Sequence, residues 1–344
     1  MNQWIAPMAV TMLMASPAYA AGAPAPYQVA ARFQLGGDGG WDYLTADPAQ
    51  HLLYLSRASR VWVVNAQTGV LKAEIPDTPG VHGIALAPEL SRGYISCGKA
   101  NLVKVFDLKT NAVTASIPVG QEPDAILYDA ATQRVFAFDG HGKTATVIDA
   151  KTNAVVGTIA MGGKPEFARA DGQGHVYVNI EDRSELLAID ARTLKPIARW
   201  PLAPCTEPSG LAIDAAHRRL FPVCHNRTML AVNADSGKIV AVMPIGSGVD
   251  GADFDPAGGM LYSANGEGTL TIVHESDPDH YSLVQTLQTQ AGARTVVVDT
   301  ATHRIYLPTA QRGPAPKPSL DNPHVRPPIL PGTFVVLVVD QRQP

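Results

Sequence analysis

Short apolar runs separated by polar turns recur at regular intervals along the whole chain. In each of seven units an aromatic residue follows a small or acidic turn residue by seven positions, and successive aromatic residues are 40 to 44 positions apart. The turn and aromatic positions are Asp47/Tyr54, Ala87/Tyr94, Asp129/Phe136, Ala170/Tyr177, Asp214/Phe221, Asp255/Tyr262 and Asp299/Tyr306. Four short apolar runs per unit predict a four-stranded sheet, which cannot bury both of its faces alone. The pattern therefore predicts an all-β fold, a seven-bladed β-propeller.

The third unit shows the predicted order of strands, named a to d. The strands are expected at Ala125 to Tyr128, Arg134 to Phe138, Thr144 to Asp149 and Val155 to Ile159. The turn between strands c and d, Lys151-Thr152-Asn153, supplies an Asn where a tight hairpin needs a left-handed residue. We interpret these Asp-x-x-Thr-Asn segments as turn devices without a role in function.

The two ends of the chain predict how the ring closes. The last unit ends at Phe334 to Val339 without a fourth strand, and Tyr27 to Leu35 is a strand-like run that precedes the first unit. Pairing these two segments would complete the seventh blade and remove the open edges of its sheet. We therefore expect closure by pairing of the N-terminal strand with the C-terminal blade.

Several segments resemble a known repeat. Phe106 to Val113, Ile117 to Gly120 and Thr146 to Asn153 are similar to the YVTN-type β-propeller repeat, and the chain as a whole resembles exported YncE-like propellers. The resemblance covers nearly all of the chain after residue 20 and implies the fold. It implies no particular reaction, because propellers include enzymes, binding proteins and scaffolds.

The N-terminal segment predicts export. Ile5 to Met14 is a short apolar stretch, and Ala18-Tyr19-Ala20 follows it as a small-x-small cleavage site. We predict a signal peptide at residues 1–20 and a single propeller domain at residues 21–344. Because the apolar stretch is too short for a mature membrane anchor, we expect a periplasmic or secreted protein.

Charge and cysteine content narrow the possible partners. The 344-residue chain has a formal net charge of −4 with both signs scattered, which disfavours binding to nucleic acid. We expect a monomer. Its three cysteines are Cys97, Cys205 and Cys224. An exported compartment permits a disulfide between Cys205 and Cys224 of one blade, while three buried reduced thiols are the alternative.

Charged residues collect at one predicted position of the blades, the start of strand a beside the central channel. Counting twelve residues back from the aromatic residue gives six of them, and a turn that is one residue shorter brings Glu166 into register. The set comprises Asp42, His82, Asp124, Glu166, Ser209, Asp250 and Arg294. Any one of them could simply cap a turn. As a set they favour a binding site, since like charges around a narrow mouth repel unless a ligand offsets them.

The loops on the same face add further polar residues. Glu207 precedes strand a of blade 5, and the loops between strands b and c contribute Arg57 and His225 among others. Suitable N and O ligands for zinc or a similar divalent metal ion occur at His82, Glu166, Glu207, His225 and Asp250. No His-x-x-x-His or paired-Cys motif supports the metal hypothesis, so these ligands would have to converge from separate blades.

A proline-rich insertion interrupts the seventh blade between its strands b and c. It runs from Ala310 to Gly332, and its position places it on the face of the charged ring. Loops of this length are usually lids, binding loops or disordered segments. We interpret it either as a lid over the mouth or as a flexible segment that offers polyproline contacts to a partner.

Three functions remain open from the sequence. The first is a periplasmic binding or scaffold protein whose charged mouth takes a small polar ligand, a metal ion or a peptide. The second is a metal-dependent hydrolase or lyase, like the lactonases found among other propellers. The third is a propeller that binds a protein of the cell envelope. The sequence carries no Gly-x-Ser-x-Gly, Cys-x-x-Cys-His or phosphate-loop motif, so serine-hydrolase chemistry, haem attachment and a nucleotide cofactor are unsupported.

Overall fold

The computed structural model of the protein describes residues 26–314 and 327–342. Within these ranges the chain forms seven antiparallel four-stranded sheets arranged as the blades of a β-propeller, which confirms the predicted fold class. The predicted signal peptide at residues 1–20 lies outside the described ranges and stays a prediction. No helix in the described part of the chain is long and apolar enough to cross a membrane.

Twenty-eight strands make up the seven sheets. In chain order, the first ten are β1 (Tyr27–Gln34), β2 (Leu44–Asp47), β3 (Leu52–Arg57), β4 (Arg60–Asn65), β5 (Leu71–Ile75), β6 (Val81–Ala87), β7 (Arg92–Cys97), β8 (Leu102–Asp107), β9 (Val113–Pro118) and β10 (Pro123–Asp129). The next nine are β11 (Arg134–Asp139), β12 (Thr144–Asp149), β13 (Val155–Ala160), β14 (Pro165–Ala170), β15 (His175–Ile180), β16 (Glu185–Asp190), β17 (Lys195–Pro201), β18 (Pro208–Asp214) and β19 (Arg219–Cys224). The last nine are β20 (Thr228–Asn233), β21 (Ile239–Pro244), β22 (Val249–Asp255), β23 (Met260–Asn265), β24 (Thr269–Asp277), β25 (His280–Gln288), β26 (Val297–Asp299), β27 (Arg304–Thr309) and β28 (Val335–Gln341).

Each blade uses four consecutive strands except the last. Strands β2–β5 form blade 1, and blades 2 to 6 follow in the same way up to β25. Blade 7 has the order β26, β27, β28 and β1, with Tyr27 opposite Gln341 and Gln34 opposite Val335. The expected closure by the N-terminal strand is therefore confirmed. Three 3-10 helices occur in the described ranges, at Pro88–Leu90, Gly98–Ala100 and Glu181–Arg183.

The repeated aromatic residues pack between neighbouring blades. All seven are at most 1% exposed. The hydroxyl of Tyr94 in blade 2 donates to the carbonyl of Ala150 in blade 3, and the hydroxyl of Tyr306 in blade 7 donates to Ala66 in blade 1. A buried tyrosine needs such a partner for its polar end. The periodic aromatic residue thus supplies the apolar core between blades, and Tyr94 and Tyr306 add a polar link to the next blade.

The turns between strands c and d are built as the sequence predicts. In blade 3 the Asp149 carboxylate accepts hydrogen bonds from the backbone of Lys151 and Thr152, at 3.0 and 2.8 Å. Asn153 then adopts a φ of 60°, which is the left-handed conformation that Asn tolerates well. These Asp residues are committed to backbone capping.

Cys205 and Cys224 form a disulfide in blade 5, with an S–S distance of 1.97 Å, whereas Cys97 is buried and free. Cys205 follows the end of β17, and Cys224 ends β19. The link therefore ties the loop that enters blade 5 to the second strand of that blade.

Candidate functional site

The starts of the innermost strands converge on one cavity, which we call the mouth cavity. His82, Asp124, Glu166, Ser209 and Asp250 are each the second residue of their innermost strand. The volume of the mouth cavity is about 400 Å³, and its lining comprises Asp42, Tyr43, His82, Asp124, Lys164, Glu166, Glu181, His225, Gly248, Val249, Asp250 and Arg294. Of the nine predicted ligand-binding residues, all except Glu207 and Ser209 line this cavity.

Asp42 links two cationic side chains on one side of the mouth cavity. Its two carboxylate oxygens lie 2.7 Å from His82 Nδ1 and 3.3 Å from Arg294 Nη2. Arg294 also contacts Asp250, with 2.6 Å between Nε and the carboxylate. The backbone amide of Asp42 donates to Ser56 Oγ at 2.8 Å, which fixes this residue before β2 begins. Arg294 is therefore occupied by two acids of the chain itself.

His82 lies between two carboxylates. Its Nδ1 atom is 3.5 Å from Asp124 Oδ1, in addition to the short contact with Asp42. Burial opposes the imidazolium, but the hydrogen bond to Asp42 and the charge of Asp124 outweigh it and raise the pKa of His82 to about 9. Burial raises the pKa of Asp124 to about 7, although His82 opposes that shift. Asp124 Oδ1 is a buried atom without a hydrogen-bond partner among the described residues.

Lys164, Glu166 and Glu181 form a second ionic group. The Lys164 ammonium lies 3.1 Å from Glu166 and 2.5 Å from Glu181. Burial raises the pKa of Glu166 to about 8, Asp124 adds to the shift, and Lys164 opposes it. The pKa of Lys164 is also raised, because the two glutamates outweigh its burial. Lys164 therefore stays charged while the glutamate beside it holds a proton near neutral pH.

Two of the predicted residues lie elsewhere. Glu207 contacts His225 at 3.3 Å, but its side chain is 64% exposed and does not line the mouth cavity. Ser209 is 1% exposed, and its Oγ donates to the carbonyl of Val249 at 3.2 Å. Ser209 occupies the same strand position as the acidic residues. Its short side chain instead bonds to the backbone of the next blade and does not line the mouth cavity.

Tyr43, which lines the mouth cavity, packs against an aromatic residue of blade 4. The rings of Tyr43 and Phe167 meet edge to face with their centroids 4.9 Å apart. Arg169 lies over the Phe167 ring and pairs with Asp253 at 3.0 Å. Tyr43 lines the mouth cavity and also a second cavity that Phe167 and Arg169 line.

The side chain of Arg57, expected among the polar loop residues at the mouth, is buried inside the blade instead. It is fully buried at the end of β3, where its guanidinium donates to the carbonyls of Asp38, Gly39 and Gly40 at 2.9, 2.9 and 3.1 Å. The ring of Phe334 lies 3.8 Å from the guanidinium carbon. Arg57 is thus at the expected end of the blade but does not line the mouth cavity, because the segment before β2 folds around its side chain. Arg57 thereby holds the coil that leads to Asp42.

The ends of the proline-rich insertion pair with each other. Arg312 and Ile329 form an antiparallel bridge, and Gly313 N donates to the carbonyl of Pro328 at 2.8 Å. The Arg312 guanidinium lies 5.4 Å from the ring centroid of Trp41, directly before Asp42. The base of the insertion thus stands beside the mouth, while residues 315–326 of the predicted lid lie outside the described ranges, so the lid stays a prediction.

One group in the mouth cavity has the ligands for a metal ion. Asp42, His82 and Asp124 each offer an atom, and the three atoms lie within 4.8 Å of one another. Of the predicted metal ligands, only His82 belongs to this group. Oxygen and imidazole ligands suit zinc and similar divalent ions. Sequence reasoning placed Glu181 among the loop residues on this face but missed Lys164, although Lys164 precedes Glu166 by two positions.

Comparisons with known proteins identify the fold. No protein-family model matches the chain, and no curated protein matches it. Among solved structures, a chain of Kuenenia stuttgartiensis hydrazine synthase is similar, with 17% identity, a TM-score of 0.69, and coverage of 78% of this chain and 92% of that chain. The WD40 repeats of RRP9 align with 7% identity and a TM-score of 0.76, over 93% of this chain and 99% of that one. A chain of a mitotic checkpoint complex aligns with 12% identity and a TM-score of 0.70, over 89% and 96%.

These similarities show a seven-bladed propeller and, at such low identity, the fold alone. The resemblance to the YVTN-type repeat accordingly stays a prediction at the level of the family.

Proposed function

We propose that the chain is an exported propeller of the YVTN-repeat type that binds a small ligand with a positively charged group in the mouth cavity. The observation that carries this proposal is the charge of the lining. Five carboxylates line the cavity, against one lysine, one arginine and two histidines. When all five are ionised they outnumber the cations Lys164, Arg294 and protonated His82, and a bound cation stabilises the remaining negative charge.

The protonation of the carboxyl groups supports the same ligand class. Asp124 and Glu166, with pKa values raised to about 7 and about 8, hold protons near neutral pH that an entering cation would displace. Cation binding should therefore release protons and strengthen as the pH rises. A volume of about 400 Å³ fits a hydrated metal ion or a small organic ammonium compound.

The test is calorimetric titration of the protein, freed of metal, with Zn²⁺, Ca²⁺ and putrescine. We expect at least one of these cations to bind, and to bind roughly tenfold or more tightly at about pH 8.5 than at about pH 6. Asp124→Asn should weaken that binding. The matched control is Glu185→Gln, which removes the acid of an ion pair with Arg199 in the outer half of blade 4. Phosphate binding in place of cation binding, or equal affinity in Asp124→Asn and the control, would overturn the proposal.

His82→Gln separates the two kinds of cation. A metal ion held by Asp42, His82 and Asp124 loses a ligand in this variant, so its affinity should fall. An ammonium group should bind more tightly, because the competing imidazolium is gone. The direction of the change therefore identifies the ligand class.

A metal-dependent hydrolase is the second candidate, favoured by the convergence of Asp42, His82 and Asp124. In that case these residues would hold the ion, and His225 at the cavity wall could move a proton. A bound ion would supply a Lewis acid for a carbonyl group. Lactone hydrolysis by the metal-loaded protein, abolished by His82→Gln and by chelation, would support this activity. Full activity after chelation would exclude it.

Export is tested separately by cell fractionation. If residues 1–20 are a signal peptide, the protein should appear outside the cytoplasm with Ala21 as its N-terminal residue. A cytoplasmic protein that retains Met1 would contradict export without affecting the proposal for the mouth cavity.

A further inference from the structure

A second acidic cluster lies at the far end of the innermost strands from the mouth. Asp214 is the last residue of β18, and His217 follows it in the turn before β19. Glu275 reaches the same place from β24 of blade 6. One ligand atom from each of these three residues lies within 4.8 Å of the other two. Blades 5 and 6 therefore meet at a group of two carboxylates and one imidazole.

An extension of blade 6 brings Glu275 to this position. Strands β24 and β25 are nine residues long each, whereas the third strands of blades 1 to 5 have six residues. Arg219 of blade 5 binds the tip of the extended hairpin through the Pro278 carbonyl, at 2.8 Å, and Asp279, at 2.9 Å. Because blade 5 holds the tip, Glu275 is fixed against Asp214.

Both carboxylates are buried, but they differ in how many of their oxygens have a hydrogen-bond partner. Asp214 is 3% exposed and Glu275 is 7% exposed. Asp214 caps its turn and contacts His217 Nδ1 at 2.5 Å. Glu275 Oε1 accepts from the Tyr281 hydroxyl at 3.1 Å, but Oε2 is a buried atom with no hydrogen-bond partner among the described residues. An unpartnered carboxylate oxygen that is more than nine-tenths buried needs a compensating group.

In blade 4 a cationic side chain compensates the equivalent buried carboxylate. Asp171, the counterpart of Asp214 in blade 4, contacts His175 at 2.8 Å and also receives Arg218 from blade 5 at 3.2 Å. At Asp214 the next blade supplies Glu275, a second acid, in place of an arginine. The cluster has therefore gained a negative charge where the equivalent one has a positive charge.

We propose that Asp214, His217 and Glu275 form a binding site for a divalent transition-metal ion of the zinc class. Two carboxylate oxygens and one imidazole nitrogen are suitable ligands, and ligands around a tetrahedral zinc ion are about 3.3 Å apart. The farthest pair of atoms would have to approach by about 1.5 Å at most, whereas the 2.5 Å contact between Asp214 and His217 would have to lengthen. The side chain of His217 is 56% exposed, so the ion enters from solvent and keeps a solvent ligand on that side. This site is independent of the mouth cavity.

A shared proton is the competing explanation for the unpartnered oxygen. Burial and the charge of Asp214 raise the pKa of Glu275 to about 7, so a proton could lie between the two carboxyl groups. In that case the cluster would need no metal ion. Glu275→Gln would then replace the shared proton with an amide hydrogen, with no loss of folding stability. The experiment must therefore separate metal binding from stability alone.

The experiment uses full-length protein carrying His82→Gln and Asp124→Asn, which remove the candidate ligands at the mouth. Zn²⁺ is titrated calorimetrically into this parent, and Co²⁺ is followed by its visible absorption. We expect one ion to bind, with affinity reduced roughly tenfold or more by either Glu275→Gln or His217→Gln. The Co²⁺ spectrum should be lost in both variants. Since His217 is exposed, His217→Gln tests the site even if Glu275→Gln fails to fold.

The matched control is His175→Gln in the equivalent cluster of blade 4, where Arg218 already supplies a cation. It should leave Zn²⁺ affinity unchanged. The proposal is overturned if the parent binds no Zn²⁺ or Co²⁺, or if His217→Gln binds Zn²⁺ as tightly as the parent does. A parent that binds no metal but gains stability from Glu275→Gln would establish the shared proton instead.

Discussion

Replacing Glu166 by glutamine should stabilise the protein in basic solution and have little effect in acid. Glu166 is 8% exposed, and its pKa rises from 4.5 to about 8 on folding. Between these two values the folded protein holds a proton that the unfolded chain releases. Stability therefore falls as the pH rises through this window, and the loss is complete above about pH 8. Glutamine has nearly the same shape but no charge, so it removes this loss.

The size of the effect follows from the two pKa values. One pKa unit corresponds to about 1.36 kcal/mol, so the wild-type loss between about pH 5 and about pH 9 has an upper limit of roughly 4 kcal/mol. Part of the raised pKa comes from Asp124 and is shared with it, which reduces the expected gain to about 2 kcal/mol. Lys164 keeps Glu181 at 2.5 Å in the variant, so the substitution does not leave its ammonium group unpaired.

The assay is thermal unfolding, with the disulfide intact, at about pH 5 and about pH 9. A change of 1 kcal/mol should shift Tm by roughly 1 to 2 °C in a domain of this size, so Glu166→Gln should gain about 2 to 4 °C at the higher pH. Glu185→Gln, in a more exposed ion pair with Arg199, should change Tm equally little at both pH values. A variant that is destabilised more at pH 9 than at pH 5 would show that the ion pair with Lys164 outweighs burial, and the reasoning would be refuted.

Three further predictions concern other parts of the molecule. Replacing Cys205 and Cys224 by serine should cost roughly 3 kcal/mol, because the disulfide closes a loop with a sequence separation of 19; equal Tm values for wild type and variant under non-reducing conditions would contradict this. Arg57→Met should cost about 3 kcal/mol by leaving three carbonyls without their charged donor, measured as urea unfolding against wild type. Asp42→Asn should lower the pKa of His82 from about 9, because the charge of Asp42 no longer stabilises the imidazolium while burial still disfavours it. NMR titration of the imidazole should detect a decrease of roughly one unit or more, and an unchanged value would rule out the role given to Asp42.

The fold was predictable because each blade repeats the same physical requirement. Every aromatic residue of the pattern fills the space between two blades, and Tyr94 and Tyr306 also reach a carbonyl of the next blade. A requirement that recurs seven times leaves a period in the sequence. Closure was predictable for a related reason, since Tyr27–Gln34 had no partner in its own unit and the last unit lacked a strand.

The mouth was predictable in part because position within a strand is periodic. His82, Asp124, Glu166 and Asp250 share one register and therefore one end of the channel. Ser209 shares the register too, yet its hydroxyl bonds to the backbone of the next blade. The strand register determines where the backbone of a residue lies. The length of its side chain and its local partners determine whether that side chain reaches the cavity.

The remaining site residues depend on loops and extensions that have no period. Lys164 and Glu181 come from loops on either side of one hairpin, and their pairing with Glu166 depends on how those loops fold. Glu275 meets Asp214 only because one hairpin is longer than its counterparts and Arg219 holds its tip. The first contact joins two loops of one blade and the second joins two blades, so the strand periodicity reveals neither of them. Interactions that occur once in a repeat fold are therefore where its individual chemistry should be sought, since the repeated ones are explained by the architecture.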